Sequence, residues 1–416
     1  MDSLASLKID KVVYGGQGLG RCEGQVIFVP FTIDQEVVTV KLVHKKKNYT
    51  QGQLLHVIEP SPHRIKPRCS HFTHCGGCQF QHMDYPKQLE TKQHILEENL
   101  ARFVDRFDLY GLANHVWYYR EHIKLSYEEG VLGYHGFTNK NTFALTECPI
   151  FSDQLTPTLK ILTTTLKRSN CQAGSVRILK SGTRFIVALE CDSPIQGDLS
   201  PLLDHVQGIC LKQGGKILEL GDCRLTQTYL GTLFHMDPWS FMQAHSKMAE
   251  SLYQHILSLI PQTTTTLVDL YCGAGILSIL AAKKYPHLTI YGLELNPRAI
   301  VQAHKNQKEH NLPDIHLIAA PAEQVLTHVK ERIDFVIVNP PREGLSAAML
   351  KALIHMKDAQ FCYVSCNPTT LQRDLKALIV AGYRVTSISG FDLFPQTTHL
   401  ETVCLIEKGD DFQSSP

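Results

Sequence analysis

The sequence lacks any uninterrupted apolar run of the roughly 18 residues that a membrane-crossing helix needs. Its opening residues, MDSLASLKID, lack the apolar centre of an export signal and the arginine-rich texture of a transit peptide. A cytoplasmic protein with no membrane partner is the expectation. The chain also lacks a charge excess: 41 Lys+Arg stand against 40 Asp+Glu. Whole-chain electrostatics therefore give no argument for a polyanionic partner, and any RNA contact has to come from local basic patches. The 13 cysteines are odd in number and lack the spacing of a small disulfide-stapled domain. In a reducing compartment they read as metal ligands, reactive thiols or core residues. No repeat or low-complexity run is visible. What is present, 416 residues of which 43% are hydrophobic, excludes a disordered chain and leaves room for two or three domains.

Short β-rich runs (KIDKVV, QVIFVPF, EVVTVKLV, GQLLHVI) separated by turn signals such as Tyr14-Gly15-Gly16-Gln17-Gly18 suggest a small N-terminal barrel of the oligonucleotide-binding kind. Lys45, Lys46 and Lys47, beside His44 and Tyr49, are its local basic patch, either a phosphate-contacting loop or a solvated hairpin tip. After the prolines 60, 62 and 67 comes a cysteine-rich knot, then an amphipathic helix expected over Tyr85 to Phe103, then a mixed α/β stretch to about Tyr229. From Thr266 strands and helices alternate regularly. Apolar runs of four to seven residues between helices predict a parallel, doubly wound sheet, whose ligands bind at the carboxyl ends of its strands.

Four motifs carry chemistry. Asp269-Leu270-Tyr271-Cys272-Gly273-Ala274-Gly275 falls where a buried strand turns into a helix, with Glu294 closing the next strand. Glycine there admits a ligand close to the backbone and the carboxylate suits ribose hydroxyls, which predicts an adenosine-containing cofactor. Ser278 occupies the third glycine site of a dinucleotide fingerprint, so a nucleoside without pyrophosphate fits better. The bland alternative is a tight turn that needs glycine only for geometry. In the second motif, Asn339-Pro340-Pro341-Arg342, the prolines hold Asn339 at a strand end. The third is Ser365-Cys366-Asn367-Pro368. Its cysteine, at a strand's carboxyl end ahead of a helix, is placed to be an activated thiolate, against the commoner reading of a buried small hydrophobe. Downstream, Glu401 beside His399 is a candidate general base or a solvated strand-end charge. The fourth motif is Cys69, Cys75 and Cys78, in C-x5-C-x2-C spacing, with the distant Cys148. Four thiolates suit a tetrahedral zinc or an iron-sulfur cluster, and the presence of one C-x2-C pair rather than two favours the cluster.

Together these residues resemble the RNA uracil-C5 methyltransferase family over essentially the whole chain, most specifically in the block from Ser365 to Leu375 (SCNPTTLQRDL). The resemblance implies an RNA-binding TRAM barrel over 1–61 and a central α/β domain over 62–230, with a four-iron four-sulfur cluster on Cys69, Cys75, Cys78 and Cys148. Over 231–416 it implies a Rossmann-like methyltransferase domain that uses S-adenosylmethionine. Cys366 becomes the nucleophile and Glu401 the base. Gln243, Tyr271, Gly273, Glu294 and Asn339 become cofactor contacts. A monomer that forms 5-methyluridine is expected, in 23S ribosomal RNA rather than transfer RNA. Three departures stand out: Asn339 replaces the family's usual aspartate, Ala244-His245 follows Gln243 in place of valine and asparagine, and the barrel turn reads Ile33-Asp34-Gln35-Glu36. Rival readings are an amino-group methyltransferase built on Asn339-Pro340-Pro341, which leaves Cys366 idle, and a non-catalytic RNA-binding module. A radical S-adenosylmethionine enzyme needs a shorter cysteine spacing.

Overall fold

The computed structural model describes residues 4–137, 141–169, 171–195, 198–356 and 358–409. Strands Leu4–Val13, Gln17–Cys22, Gln25–Pro30, Val37–Lys45 and Tyr49–Glu59 close into a small barrel. Alternation at period two sends Leu7, Ile9, Ile27, Val29, Val38 and Val40 inward as its core. Gln17–Cys22, Gly-rich and weakly apolar, is the strand that hydrophobic runs alone miss. Lys45, Lys46 and Lys47 are exposed at the hairpin between the last two strands.

The middle of the chain forms a seven-stranded sheet, mostly antiparallel, running from Lys216–Gly221 at one edge to Thr142–Ala144 at the other. Helix Leu155–Arg168 covers it with Leu155, Leu159, Leu162 and Leu166, the apolar stripe that its spacing predicts. The C-terminal sheet has eight strands. From one edge inward runs the parallel set Ile315–Ala319, Thr289–Glu294, Thr266–Leu270, Phe335–Val338 and Gln360–Ser365. Glu401–Lys408 and Tyr383–Phe391 follow, the former antiparallel to both its neighbours. Thr266–Leu270 has the next strand in sequence on one side and Phe335–Val338 on the other. The connection reverses there, which opens a crevice at the carboxyl ends.

The eighth strand is Phe107–Tyr110, which pairs in parallel with Tyr383–Phe391. Helix Tyr85–Leu100, started by Asp84 accepting from the Lys87 amide at 2.9 Å, buries Ile95, Leu96 and Leu100, and its Leu96 and Leu100 share a core with Leu371, Leu375 and Leu378. Residues 85–110 thus pack on the C-terminal sheet, although they precede the boundary expected at 230. The hairpin Leu225–Tyr229/Thr232–Met236 straddles that boundary, and one core joins Ile186, Ala188 and Cys210 of the middle sheet to Leu267, Ile290 and Phe335. Among the described residues no helix is long and apolar enough to cross a membrane.

Candidate active site

The crevice at the strand ends is built from three loops. In the first, Tyr271 has φ 63°, Gly273 φ 57° and Gly275 φ 76°. A bulky residue held in the left-handed region is strained, and such strain concentrates at functional turns. Glu294 braces the turn, Oε2 accepting from the Gly273 amide at 3.1 Å and Oε1 from the Asn296 amide at 2.7 Å. Ser278, which broke the dinucleotide fingerprint, has a task of its own. Fully buried, it donates to Asp269 Oδ2 at 2.6 Å. Burial pushes the Asp269 carboxyl up to about 7 against that hydrogen bond.

The second loop carries Asn339, whose amide donates to the Leu270 carbonyl at 3.4 Å, tying the two strand ends together. It is joined to the third loop by the hydrogen bonds of Asn367. The Asn367 Oδ1 caps helix Pro368–Val380 by accepting from the Thr369 amide at 3.0 Å, and its Nδ2 donates to the Arg342 carbonyl at 3.2 Å. Deeper in the same helix Asp374, with no exposed surface, accepts from the Leu345 amide at 2.8 Å, from Tyr363 Oη at 2.8 Å and from Arg373 Nε at 2.8 Å. The long Ser365–Leu375 block therefore has a physical reason: one end caps the helix and the other clamps the Asn-Pro-Pro-Arg loop onto it.

Cys366 lies partly exposed at the rim, unlike Cys362 and Cys404, which are core residues. The bland reading of a buried hydrophobe therefore fails. Burial and then the Glu401 carboxylate push the thiol above its ordinary value, while the Arg342 guanidinium pulls it down. Glu401 is buried at the start of the final strand, so it is not a solvated strand-end charge; burial raises it to about 8 with Arg342 opposing. Cys366, Glu401 and Arg342 thus stand close enough for their charges to act on one another. The sequence analysis gives Arg342 no role beyond closing the Asn-Pro-Pro-Arg motif. A cation directly after a strand-end Asn-Pro-Pro was the available signal.

The loop leading into Glu401 is gripped from elsewhere in the chain. Lys92 Nζ donates to Asp392 Oδ1 at 2.6 Å and to the Phe394 carbonyl at 3.0 Å, and Tyr85 Oη donates to Asp392 Oδ2 at 3.0 Å. Gln88 and Gln396 bond twice, and the Gln79 and Phe80 amides donate to the Gln396 carbonyl at 3.1 and 2.9 Å. His399 is held neutral, lowered to about 4 by burial and then by the Arg342, Lys92 and Arg120 charges. Gln243 is buried, with its Oε1 lacking a partner among the described residues. His245, where the family has asparagine, still caps helix Ser246–Ser258: Nδ1 accepts from the Met248 amide at 3.3 Å, and the ring stacks on Tyr119 at 4.9 Å.

The fourth motif converges elsewhere. Cys69, Cys75, Cys78 and Cys148 line one cavity of about 50 Å³ together with Phe72, Arg120, Tyr134 and Ile150. Among the described residues no three His, Cys, Asp or Glu side chains stand close enough to hold a single metal ion.

A family model described as tRNA (uracil-5-)-methyltransferase matches residues 231–409, and the TRAM domain model matches 6–55. An uncharacterized RNA methyltransferase of Protochlamydia amoebophila is 32% identical over 425 residues, covering 96% of this chain and 97% of its own. The chain belongs to the RNA uracil-5 methyltransferase family. A second uncharacterized RNA methyltransferase of this kind, from Thermosynechococcus vestitus, is 30% identical over 439 residues and covers 96% of this chain and 97% of its own. The crystal structure of the Pyrococcus abyssi tRNA (uracil-54, C5)-methyltransferase with S-adenosyl-L-homocysteine superposes with a TM-score of 0.78 at 24% identity, over 96% of this chain and all of that one. That likeness fixes the fold of this family member as a Rossmann-like methyltransferase, to which the TRAM barrel matched over 6–55 is joined.

Proposed function

We propose that the protein methylates carbon 5 of a uridine in RNA, with S-adenosylmethionine as methyl donor, Cys366 as nucleophile and Glu401 as base. The observation that carries this reading is the convergence of a rim thiol, a buried carboxylate and one guanidinium at the carboxyl ends of a doubly wound sheet. An amino-group methyltransferase has no use for such a pair, and a non-catalytic module has no need to bury Glu401.

The residues fit the donor. The strained Tyr271-Cys272-Gly273 turn, the Glu294 carboxylate and the unpartnered Gln243 oxygen are donors and acceptors suited to a nucleoside with an amino-acid tail; Gln243, Tyr271, Gly273, Glu294 and Asn339 would hold it. When bound, S-adenosylmethionine supplies an electrophilic methyl group on a sulfonium. Uracil C5 is too weakly nucleophilic to take it unaided. The Cys366 thiolate adds to C6, forming a C–S bond and moving the C5–C6 pair into an enolate with density at C5. C5 would take the methyl as the methyl–sulfur bond breaks, its electron pair staying on the sulfur of the departing thioether. Glu401 then removes the C5 proton, the C–S bond breaks, the double bond re-forms and the thiolate returns. Arg342 favours the charged form of both residues. The uridine has to leave its stack to expose one face to the thiol, which favours a flipped or single-stranded target.

We read the cysteine cavity as the place of a polynuclear centre rather than of one ion. Its four thiols surround one space, and Arg120, lining the same space, has a buried Nε with no partner among the described residues, a donor and charge suited to an anionic cluster. Cys69, Cys75, Cys78 and Cys148 would hold a four-iron four-sulfur cluster. The reaction transfers no electrons, so its contribution is structural: the knot's Gln79 and Phe80 brace the loop that ends in Glu401. Large-subunit ribosomal RNA is our substrate reading, because family members carrying both the barrel and the cluster cysteines favour it. Nucleoside analysis of fractionated RNA from cells with and without the gene tests this. Loss of 5-methyluridine from ribosomal RNA is expected, loss from transfer RNA alone moves the target, and no loss from either overturns the activity.

A further inference from the structure

The barrel is attached to the C-terminal unit at its first turn. Gly15 and Gly16 follow strand Leu4–Val13 with φ 93° and 79°, and the Gly16 amide donates to the Val13 carbonyl at 2.9 Å. Gly16 is buried against the loop that ends in Glu401. A Cβ added to it would lie 2.4 Å from Thr398 Cγ2, 3.1 Å from Gln79 Cβ and 3.3 Å from Phe80 Cε1. Only glycine permits both that backbone conformation and that approach. The turn is therefore a docked element with a fixed position, not a free hairpin end.

That docking carries Tyr14 to the thiol. Tyr14 shares a small cavity with Pro368, Thr398, Leu400 and Thr402, residues that flank Cys366 and Glu401 in the chain. It lies within electrostatic range of both the Cys366 thiol and the Arg342 guanidinium. Tyr14 is 38% exposed. An aromatic ring held by a rigid turn beside a nucleophile, with much of its surface free, is a platform without an occupant. Nucleic-acid sites use such rings to stack unpaired bases, because every base offers a π-face. Tyr85 and Tyr119 differ, since both hydroxyls are spent on the Glu401 loop, on Asp392 and on the Pro395 carbonyl.

We propose that Tyr14 of the barrel is a substrate-contacting residue of the methylation site, stacking on the extruded uridine or its neighbour, and that Gly16 positions it. This deepens the function proposed above and rests on it. The RNA-binding barrel then completes the pocket as well as supplying affinity at a distance, and a base is held for attack only when RNA lies on both the barrel and the C-terminal unit.

The test uses the full-length protein and total RNA from cells lacking the gene, prepared both unmodified and from cultures grown with 5-fluorouracil. The fluorinated base has no C5 proton to lose, so it traps the Cys366 adduct. Tyr14→Ala is expected to lower kcat/KM for RNA methylation and the rate of adduct formation by about ten-fold or more, the scale of one lost base–aromatic stack. Tyr14→Phe stays within about three-fold of the native protein, because the ring is kept. Gly16→Ala reproduces the Tyr14→Ala loss. S-adenosylmethionine affinity and Tm are unchanged in Tyr14→Ala, readouts that a purely structural role would move. Native adduct formation by Tyr14→Ala, a parallel fall in its Tm, or a Tyr14→Phe variant as impaired as Tyr14→Ala would each overturn the stacking role while leaving the Cys366 mechanism intact. If the native protein forms no adduct, the mechanism itself fails and this inference with it.

Discussion

The charges around Glu401 set a pH dependence that can be worked from the structure. Its carboxyl is raised to about 8 by burial, with Arg342 as the opposing cause. As a base it acts only when ionised, so at pH 7 about one tenth of the molecules are competent and at pH 9 about nine tenths. Glu401 alone therefore supplies about a ten-fold rise in kcat/KM between those values. The Cys366 thiol, also raised, titrates later and adds a second rising limb, so the profile climbs with a slope near two below pH 8 and near one above it. The assay is release of tritium from C5-labelled uridine in RNA, measured from pH 6 to 9.5 at subsaturating RNA so that the free protein's ionisations are read. Arg342→Met removes the charge that opposes the rise at Glu401 and moves the first limb to higher pH. A flat profile between pH 6 and 9, or a limb left in place by Arg342→Met, would refute the assignment of the base and of the cation that serves it.

Three further outcomes follow from buried charge. Glu401 is normally near 4.5 and is raised on folding, so the folded state binds the proton more tightly and stability falls as pH climbs through that window. Glu401→Gln, which cannot ionise, is expected to raise Tm at pH 9 but not at pH 4, with a ceiling of about 5 kcal/mol; equal Tm shifts at both pH values contradict the burial argument. Lys92→Met leaves the Asp392 carboxylate buried without its cation and is expected to cost about 3–5 kcal/mol in denaturant unfolding, whereas a loss below about 1 kcal/mol would mean the pair is not buried in solution. Ser278→Ala strips the Ser278 hydroxyl donor from Asp269 and is expected to cost about 1–3 kcal/mol, more at pH 9 than at pH 5; the opposite pH trend counts against it.

How far the sequence reaches depends on the range of the interaction. Cys366 was legible because everything that places it is local: a buried strand before it, and after it an asparagine that caps a helix opened by proline. The parallel core strands were legible for the same reason, their apolar runs being bounded by helices. Glu401 was ambiguous, since a carboxylate at a strand start looks the same whether water or protein covers it, and the cover comes from elements far away in the chain. Ser278 looked like a defect in a glycine pattern until its partner, nine positions earlier, was seen to be a buried carboxyl. Phe107–Tyr110 could not be found at all: four residues of weak pattern become a strand only because Tyr383–Phe391 offers an edge to them.

The same reasoning explains why the site draws on every part of the chain. A carboxylate buried enough to rise to about 8, and proposed to serve a rim thiol as base, cannot sit on a free loop. Its loop is held by Lys92, Tyr85 and Gln88 of one helix, by Gln79 and Phe80 of the cysteine knot, and by Tyr119 at the entrance to the middle sheet. Each of those contacts spans some 275 residues or more of sequence, so the loop is ordered only once all three regions are folded. Loss of the knot's internal order should consequently reach Glu401 before it reaches the Rossmann-like core, whose strands pair among themselves. Hydrogen exchange of a protein with Cys148→Ala separates the two cases: faster exchange at Gln396 and its neighbours with Val336–Val338 unchanged fits a cysteine centre that supports the base, and uniform acceleration across both would mean that the knot holds up the whole fold instead.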